Sequence, residues 1–441
     1  MTRNSCKTVL LLLMTFMAAW ANAQTNGSNS SYSRFGLGTL ADQSQGYARG
    51  MGGVGIALHQ GNRVNMLNPA SYASIDSLSF ILDVGMSLSA GRMKEGNNTL
   101  NIKNCSLDFV NAGLRLRRGL GLSFGFVPFS TIGYSFYTER PVTNDQTTTL
   151  PIKTTSTYQG SGGLHQAYIG LGWQPVANLS VGMNASFIWG EYSHTMAQTF
   201  TEGESNSSSY SGLNSTHYAE LKTYKLDFGA QYPIRITPND WITIGATVGL
   251  GHKIKSDATL TRYTTVGDST EITAQSPFDL PFTYGGGVAW QHKNNLLVAA
   301  DYKFEKWSDC RTPHSSTEGN QLSYFGAKGA YENRSRYTVG AQYTPDPTDK
   351  HYMKRMQYRI GANYSTPYLR VNGAEGPSEM TLSAGVGLPI SNHNSSRSVV
   401  NINLQWLRRH PASSSLISEN YFLVNVGLTF NENWFMKFKI Q

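Results

Sequence analysis

In Leu179-Ser180-Val181-Gly182-Met183-Asn184-Ala185-Ser186-Phe187 every odd position is apolar and every even one is small or polar. Leu78, Phe80, Leu82, Val84, Met86 and Leu88 keep the same period, as do Val400, Ile402, Leu404 and Trp406. A period of two sends alternate side chains to opposite faces of a sheet. The polar set is mostly Gly, Ser, Thr, Asn and Gln, which suits a wet interior rather than a charged surface. Strand after strand of this kind predicts an all-β transmembrane barrel, apolar outside and polar within.

The pattern predicts strands near 78–90, 105–117, 119–137, 157–174, 178–200, 215–234, 241–262, 270–291, 295–307, 335–344, 355–366, 378–390, 398–409 and 419–430. That makes fourteen, with 335–344 the least regular. Tight turns such as Arg117-Arg118-Gly119 and Gln174 to Asn178 alternate with polar loops at 91–104, 138–156, 201–215 and 308–334. Short periplasmic and long outer connections give this rhythm in bacterial outer-membrane barrels. Trp173, Trp189, Trp290, Trp307 and Trp406 fall near strand ends and read as an interfacial girdle. Residues 431–441 alternate as well, and are read as a tail or a final strand.

Composition narrows the class further. Arg3 and Lys7, an apolar run and Ala21-Asn22-Ala23 make 1–23 a signal peptide, too short in its apolar part to span a bilayer. The charge is mildly basic at +8, and no basic stripe interleaved with aromatics points to nucleic acid. Mean hydropathy of −0.33 does not oppose a barrel, because alternation hides the apolar face from an average. Cys105 and Cys310 remain after processing, in a compartment that permits a disulfide, and their pairing stays open.

Residues 24–76 do not alternate. They hold Gly- and Ala-rich turns, among them Phe35 and the glycines Gly50, Gly52, Gly53 and Gly55, and end in Asn68-Pro69-Ala70. Such a segment needs shelter, and a barrel of fourteen strands is wide enough to hold a plug. The domain reading is therefore signal peptide 1–23, hatch 24–76, barrel 77–430 and tail 431–441.

Gly/Ala-rich turns leading into Asn68-Pro69-Ala70, Phe126-Val127-Pro128-Phe129, and Leu280-Pro281 followed by Gly286-Gly287-Val288-Ala289-Trp290 resemble the long-chain fatty-acid transporter (FadL/TodX-type) family. Asp301, Trp307-Ser308 and the pair Tyr358–Tyr364 and Ser383–Gly387 extend the likeness over most of the mature chain. The residues ahead of Asn68, His59-Gln60-Gly61-Asn62-Arg63, depart from the family pattern. The resemblance implies a monomeric channel of the bacterial outer membrane, in contact with its lipid, for passive uptake of hydrophobic molecules such as fatty acids. It implies a gate formed by Phe35, the glycines at 50–55 and Asn68, Pro69 and Ala70, and exit through the wall. Gly125, Pro128 and Gly133 are the candidates for that opening, since Pro donates no ladder hydrogen bond and Gly weakens pairing. No cofactor is expected. A second reading makes the same fold a non-transporting scaffold or subunit of a secretion, assembly or surface-lipoprotein complex. A third, an open polar porin, conflicts with fifty residues of plug.

Other motifs dissolve on inspection. Gly50 to Gly55 matches G-x-G-x-x-G without the strand, helix and acidic residue that a dinucleotide site needs. Gly121-Leu122-Ser123-Phe124-Gly125 matches a nucleophile elbow but lies within an alternating strand, so no catalytic residue is assigned. The ten histidines show no metal-ligand spacing, and no metal is expected.

Overall fold

A computed structural model describes residues 30–96, 98–141, 152–202, 211–319, 321–371, 373–390, 398–413 and 416–433. The expected leader, most of loops 138–156 and 201–215, and residues 434–441 lie outside them. Fourteen antiparallel strands form a closed barrel. They are β1 (Ser79–Glu95), β2 (Asn98–Arg117), β3 (Leu120–Pro141), β4 (Ile152–Val176), β5 (Leu179–Glu202) and β6 (Leu213–Arg235). β7 is interrupted (Asp240–Gly249 and Ala258–Thr264), as is β8 (Ser269–Ala274 and Thr283–His292). The rest are β9 (Leu296–Glu305), β10 (Arg334–Tyr343), β11 (Gln357–Ser365), β12 (Ser378–Ile390), β13 (Ser398–His410) and β14 (Ser418–Asn433). β1 closes on β14 in a continuous register from Ser79↔Asn433 to Lys94↔Ser418. Closure of β1 on β14 leaves no free edge at the seam between the first and last strands.

The alternation behaves as the sequence predicts. Ile169, Trp173, Phe187, Val288, Val339, Ile360 and Phe422 stand on the outer face, while Asp83, Asn184, Gln231, Asn403 and Asn425 are buried within. Apolar surface of this kind belongs in a bilayer, and the closed antiparallel form places the protein in an outer membrane. About ten residues suffice for a tilted strand to cross the hydrocarbon core. β4 has 25 residues and β5 has 24, so both project well beyond it on the loop side.

Several expectations change. Residues 91–104 are not a loop, because β1 and β2 run on to a tight turn at Glu95↔Asn98. Above the membrane the alternation no longer needs an apolar face, so polar residues hide the strand. By contrast, the strand expected near 335–344 is present, as Arg334–Tyr343, paired on both sides. Asn431 to Asn433 continue β14 rather than begin another strand. Trp307 is 1% exposed and packs among Tyr331 and Tyr368, so it belongs to the inner core instead of the girdle. The 308–334 connection carries a hairpin, Thr312–Glu318 with Gln321–Ala327. Cys105 and Cys310 are both free thiols, so the pairing left open above does not form.

Candidate functional site

The described part of the segment expected to form a hatch, residues 30–76 (hereafter the hatch), lies in the lumen and is buried along most of its length. Its seat is a row of glycines on the inner wall. Gly121, Gly172, Gly182 and Gly229 sit side by side across β3 to β6. A Cβ on Gly182 would lie 2.4 Å from the Pro69 carbonyl carbon, and one on Gly121 would lie 1.9 Å from the Tyr72 oxygen. The wall is glycine here because hatch backbone occupies the space that side chains would fill. Above Pro69, the Asn68 side chain caps the short 3-10 turn Pro69–Ser74, accepting from the Ala70 N–H at 3.0 Å and donating to the Ile56 carbonyl at 2.7 Å.

The glycine run is tied down on the opposite wall. The Gly55 and Ile56 N–H groups donate to one Asp301 carboxylate oxygen at 2.6 and 2.9 Å. Gly52 donates to Ser383 Oγ at 2.8 Å, and its carbonyl accepts from Asn363 at 2.8 Å. Gly52 and Gly53 have φ of +73° and +89°, which glycine adopts without cost. A Cβ on Gly50 would lie 2.5 Å from Asn403 Oδ1 and 3.3 Å from the Arg359 side chain. Phe35 packs on the apolar cluster of the outer half, and Arg34 stacks over Tyr158 at 3.9 Å.

The wall itself is interrupted where Pro128 was singled out. β2 and β3 pair only from Arg117↔Leu120 to Val110↔Phe126. Beyond that point β2 stays with β1, and β3 stays with β4 through a bulge at Phe129. The vacated edge of β3 is taken by the hatch: Thr39↔Thr131 and Leu40↔Ser130 pair antiparallel, and the Ala41 N–H donates to the Phe129 carbonyl at 3.0 Å. Gly133 joins this seam, its N–H donating to Ser33 Oγ at 3.2 Å. Gly125 still pairs with Asn111, below the break. Pro128 thus marks the level at which β3 leaves its neighbour, and Gly125 and Gly133 bracket it.

Two features here escaped the sequence reading. Gly162 and Gly163 of β4 and Gly190 of β5 have φ of +121°, +133° and +156°, at the level of the β3 bulge. Across the break, Asp108 is the bulged residue of β2 and turns inward to Arg49 of the hatch at 2.8 Å, with side chains only 8% and 6% exposed. Arg49 also donates to the Ser44 and Asp42 carbonyls. Burial works against the Asp42 carboxylate, but Arg336 and Arg49 outweigh it and hold its pKa below the usual range. Burial likewise lowers the His59 imidazole, which bonds Gln231 at 3.0 Å. Farther out, Glu305, Arg334, Glu379, Arg409 and Glu419 form a buried ion chain that reaches hatch Ser30. A cavity of about 20 Å³ beside it, between Tyr32, Leu40, Tyr368 and Arg409, has room for one water.

The other sequence motifs acquire structural roles. Ser123 faces inward, donates to the Ala112 carbonyl at 2.9 Å and meets Tyr168 Oη at 3.0 Å, with no base beside it. Among the described residues no group of His, Cys, Asp and Glu is arranged to hold a metal.

Solved structures share this architecture. The toluene transporter TodX of P. putida has a TM-score of 0.57 and 13% identity, covering 91% of this chain and all of that one. A FadL homologue of Pseudomonas aeruginosa scores 0.58 at 11% identity, covering 90% and 99% of the two chains. CymD, a monoaromatic hydrocarbon channel, scores 0.55 at 16% identity, covering 90% and 98%. At such identities the likeness is one of fold, and the fold is that of FadL-type barrels. No curated protein matches the chain. The family model described as BamG matches residues 5–441, nearly the whole sequence, and the chain accordingly belongs to the BamG family.

Proposed function

We infer that the protein is a passive outer-membrane route for small hydrophobic molecules, with fatty acids the class expected. Solute enters from the outer end and leaves sideways between β2 and β3 when the hatch releases the edge of β3. The single observation that carries this reading is the break in the ladder above Val110↔Phe126, with Thr39 and Leu40 in the place of a barrel strand. Two residues of pairing are few to hold against a solute, whereas the neighbouring β4 and β5 share more than twenty register pairs. An apolar solute gains by this path because it passes into the bilayer without crossing periplasmic water. Hydrocarbon channels of the same fold, CymD and TodX among them, support the direction of the reading.

The test is a lock. Leu40 and Ser130 face each other across an antiparallel pair, where Cα atoms lie about 4.5–5.5 Å apart, within disulfide reach. In a Cys105→Ser, Cys310→Ser background, Leu40→Cys with Ser130→Cys should abolish uptake of labelled oleate or toluene into proteoliposomes when oxidised and restore it on reduction. Equal uptake in both states would exclude the gap as the path.

A second reading, a non-transporting barrel within a larger outer-membrane assembly, draws on a different observation. The outer half of the lumen holds one continuous apolar core, in which Phe129, Ile132, Tyr192, Phe278 and Trp307 interlock. Such a core stabilises a rigid block more readily than a conduit. Stoichiometric copurifying proteins, with no uptake by the unlocked barrel, would favour it.

A further inference from the structure

The outer face of the barrel carries a basic row that neither the hatch nor the lumen uses. Arg408 on β13, Asn420 on β14, Arg92 on β1 and Asn101 on β2 lie side by side in register. Two residues farther out, Ser418, Lys94 and Thr99 form the next row. These positions share the outward phase with Phe422 and Leu404, while their chain neighbours Met93, Arg409 and Glu419 are buried inside. Arg92, Lys94, Thr99, Arg408, Ser418 and Asn420 line one groove of about 500 Å³. One row farther in, the surface turns apolar across Trp406, Phe422 and Ala90, with Lys103 at its end.

The charges on this face are of one sign. The outward positions of the five adjacent strands β12, β13, β14, β1 and β2 in this region are Ser378, Met380, Arg408, His410, Ser418, Asn420, Arg92, Lys94, Thr99, Asn101 and Lys103. No carboxylate stands among them. Barrel strands lie about 4.8 Å apart, so Arg92 and Arg408, two strands distant, are separated by roughly 10 Å at the backbone. Two guanidinium groups at that spacing converge on one phosphate, and the amides and hydroxyls between them complete its acceptor shell. Lys94 sits a further row out, roughly 7 Å along the strand, within reach of a second anionic group. Below lies the apolar wall where acyl chains pack.

We propose that the outer rim over β13, β14, β1 and β2 is a binding site for a phosphorylated glycolipid of the outer leaflet. The Arg92 and Arg408 pair holds one phosphate, Lys94 a second, and Trp406 and Phe422 the acyl chains. The position selects lipid over a soluble anion, because the basic row continues the lipid-facing stripe at headgroup height.

Native mass spectrometry of the full chain in detergent tests this with added diphosphoryl lipid A, monophosphoryl lipid A and phosphatidylcholine. The wild type should retain one diphosphoryl lipid A. Its affinity should fall roughly 100-fold in Arg92→Gln/Lys94→Gln/Arg408→Gln and by a smaller factor with the monophosphoryl form. Inorganic phosphate at millimolar concentration should not displace the lipid. The melting temperature should stay unchanged, since the three side chains lie outside the core. If the triple variant fails to fold, Arg408→Gln alone provides the comparison and should still weaken retention. Equal retention by wild type and variants, or displacement by phosphate, overturns the proposal. So does loss of a copurifying acidic protein from the variant with lipid binding intact.

Discussion

Arg49→Met probes the latch between the hatch and the break in the wall. The guanidinium lies 2.8 Å from Asp108, and both side chains are more than nine-tenths buried. Asp108 also accepts from Ser87 Oγ at 2.6 Å, so it stays fixed in place when its cation is removed. Removing one partner of a buried ion pair strands the other charge and costs about 3–5 kcal/mol. The loss should fall on residues 30–76, which are expected to open locally before the barrel unfolds. At about 1.4 kcal/mol per tenfold, amides in residues 44–58 should exchange with deuterium roughly two to nearly four decades faster. The barrel strands opposite, protected by their own ladder, should change little. The control is Arg49→Met with Asp108→Leu, which removes both charges and should recover most of the protection, because a buried pair is worth little over an apolar replacement. Exchange in Arg49→Met within a few-fold of wild type would refute the latch. A double variant no better than the single one would show that Arg49 acts through its Ser44 and Asp42 carbonyl contacts instead.

Other expectations follow from the same geometry. Gly182→Ala places a Cβ 2.4 Å from hatch backbone that has no flexible end to yield, so it should destabilise hatch seating by about 1–3 kcal/mol. This is read by deuterium exchange of the hatch amides, where Gly286→Ala, with open space around it, should be neutral. Trp307→Phe removes the Nε1 bond to Glu305 at 2.9 Å and leaves a gap where the wider indole packs, and should lower stability by at least about 1–3 kcal/mol on thermal melting. Since burial depresses the His59 pKa, the released hatch takes up a proton before the seated one does. Hatch stability should therefore decline as pH falls from about 6.5 toward the folded pKa, level off below it, and lose that slope in His59→Gln. Asp42 acts with the same sign at lower pH. Its stabilisation is complete above the ordinary carboxylate range and is lost only as pH falls through its depressed pKa, so hatch exchange should rise again below about pH 4 and not do so in Asp42→Asn.

The barrel was legible because lipid imposes one rule on every strand, and that rule has a period the sequence must keep. Where the strands leave the bilayer the rule lapses, which is why residues 91–104 read as loop yet pair as strand. Pro128 was visible as a break because proline lacks a ladder donor, but Gly162, Gly163 and Gly190 were not, since glycine recurs in most strands of this chain. The row Gly121, Gly172, Gly182 and Gly229 shows its meaning only in register, where a glycine beside another on the next strand signals backbone lying against the wall. Asp108 was hidden for a sharper reason. The bulge in β2 shifts the alternation by one, so Leu107 faces outward while Phe109 faces inward, and the residue between them carries the charge that meets Arg49. Trp307 misled because a tryptophan after a strand is the mark of a girdle, and here the strand end is roofed by the chain that follows. The signal that was present and unused is phase. Glu305, Glu379, Arg409 and Glu419 all fall on the inward set of their strands, where a charge must find a partner across the lumen or go unpaid for its desolvation. In a chain of this fold, inward-phase charges locate partners inside the barrel, on nearby strands or, as Glu419 with Ser30, on the plug. Outward-phase charges above the belt, as at Arg92 and Arg408, point to what the membrane itself would supply.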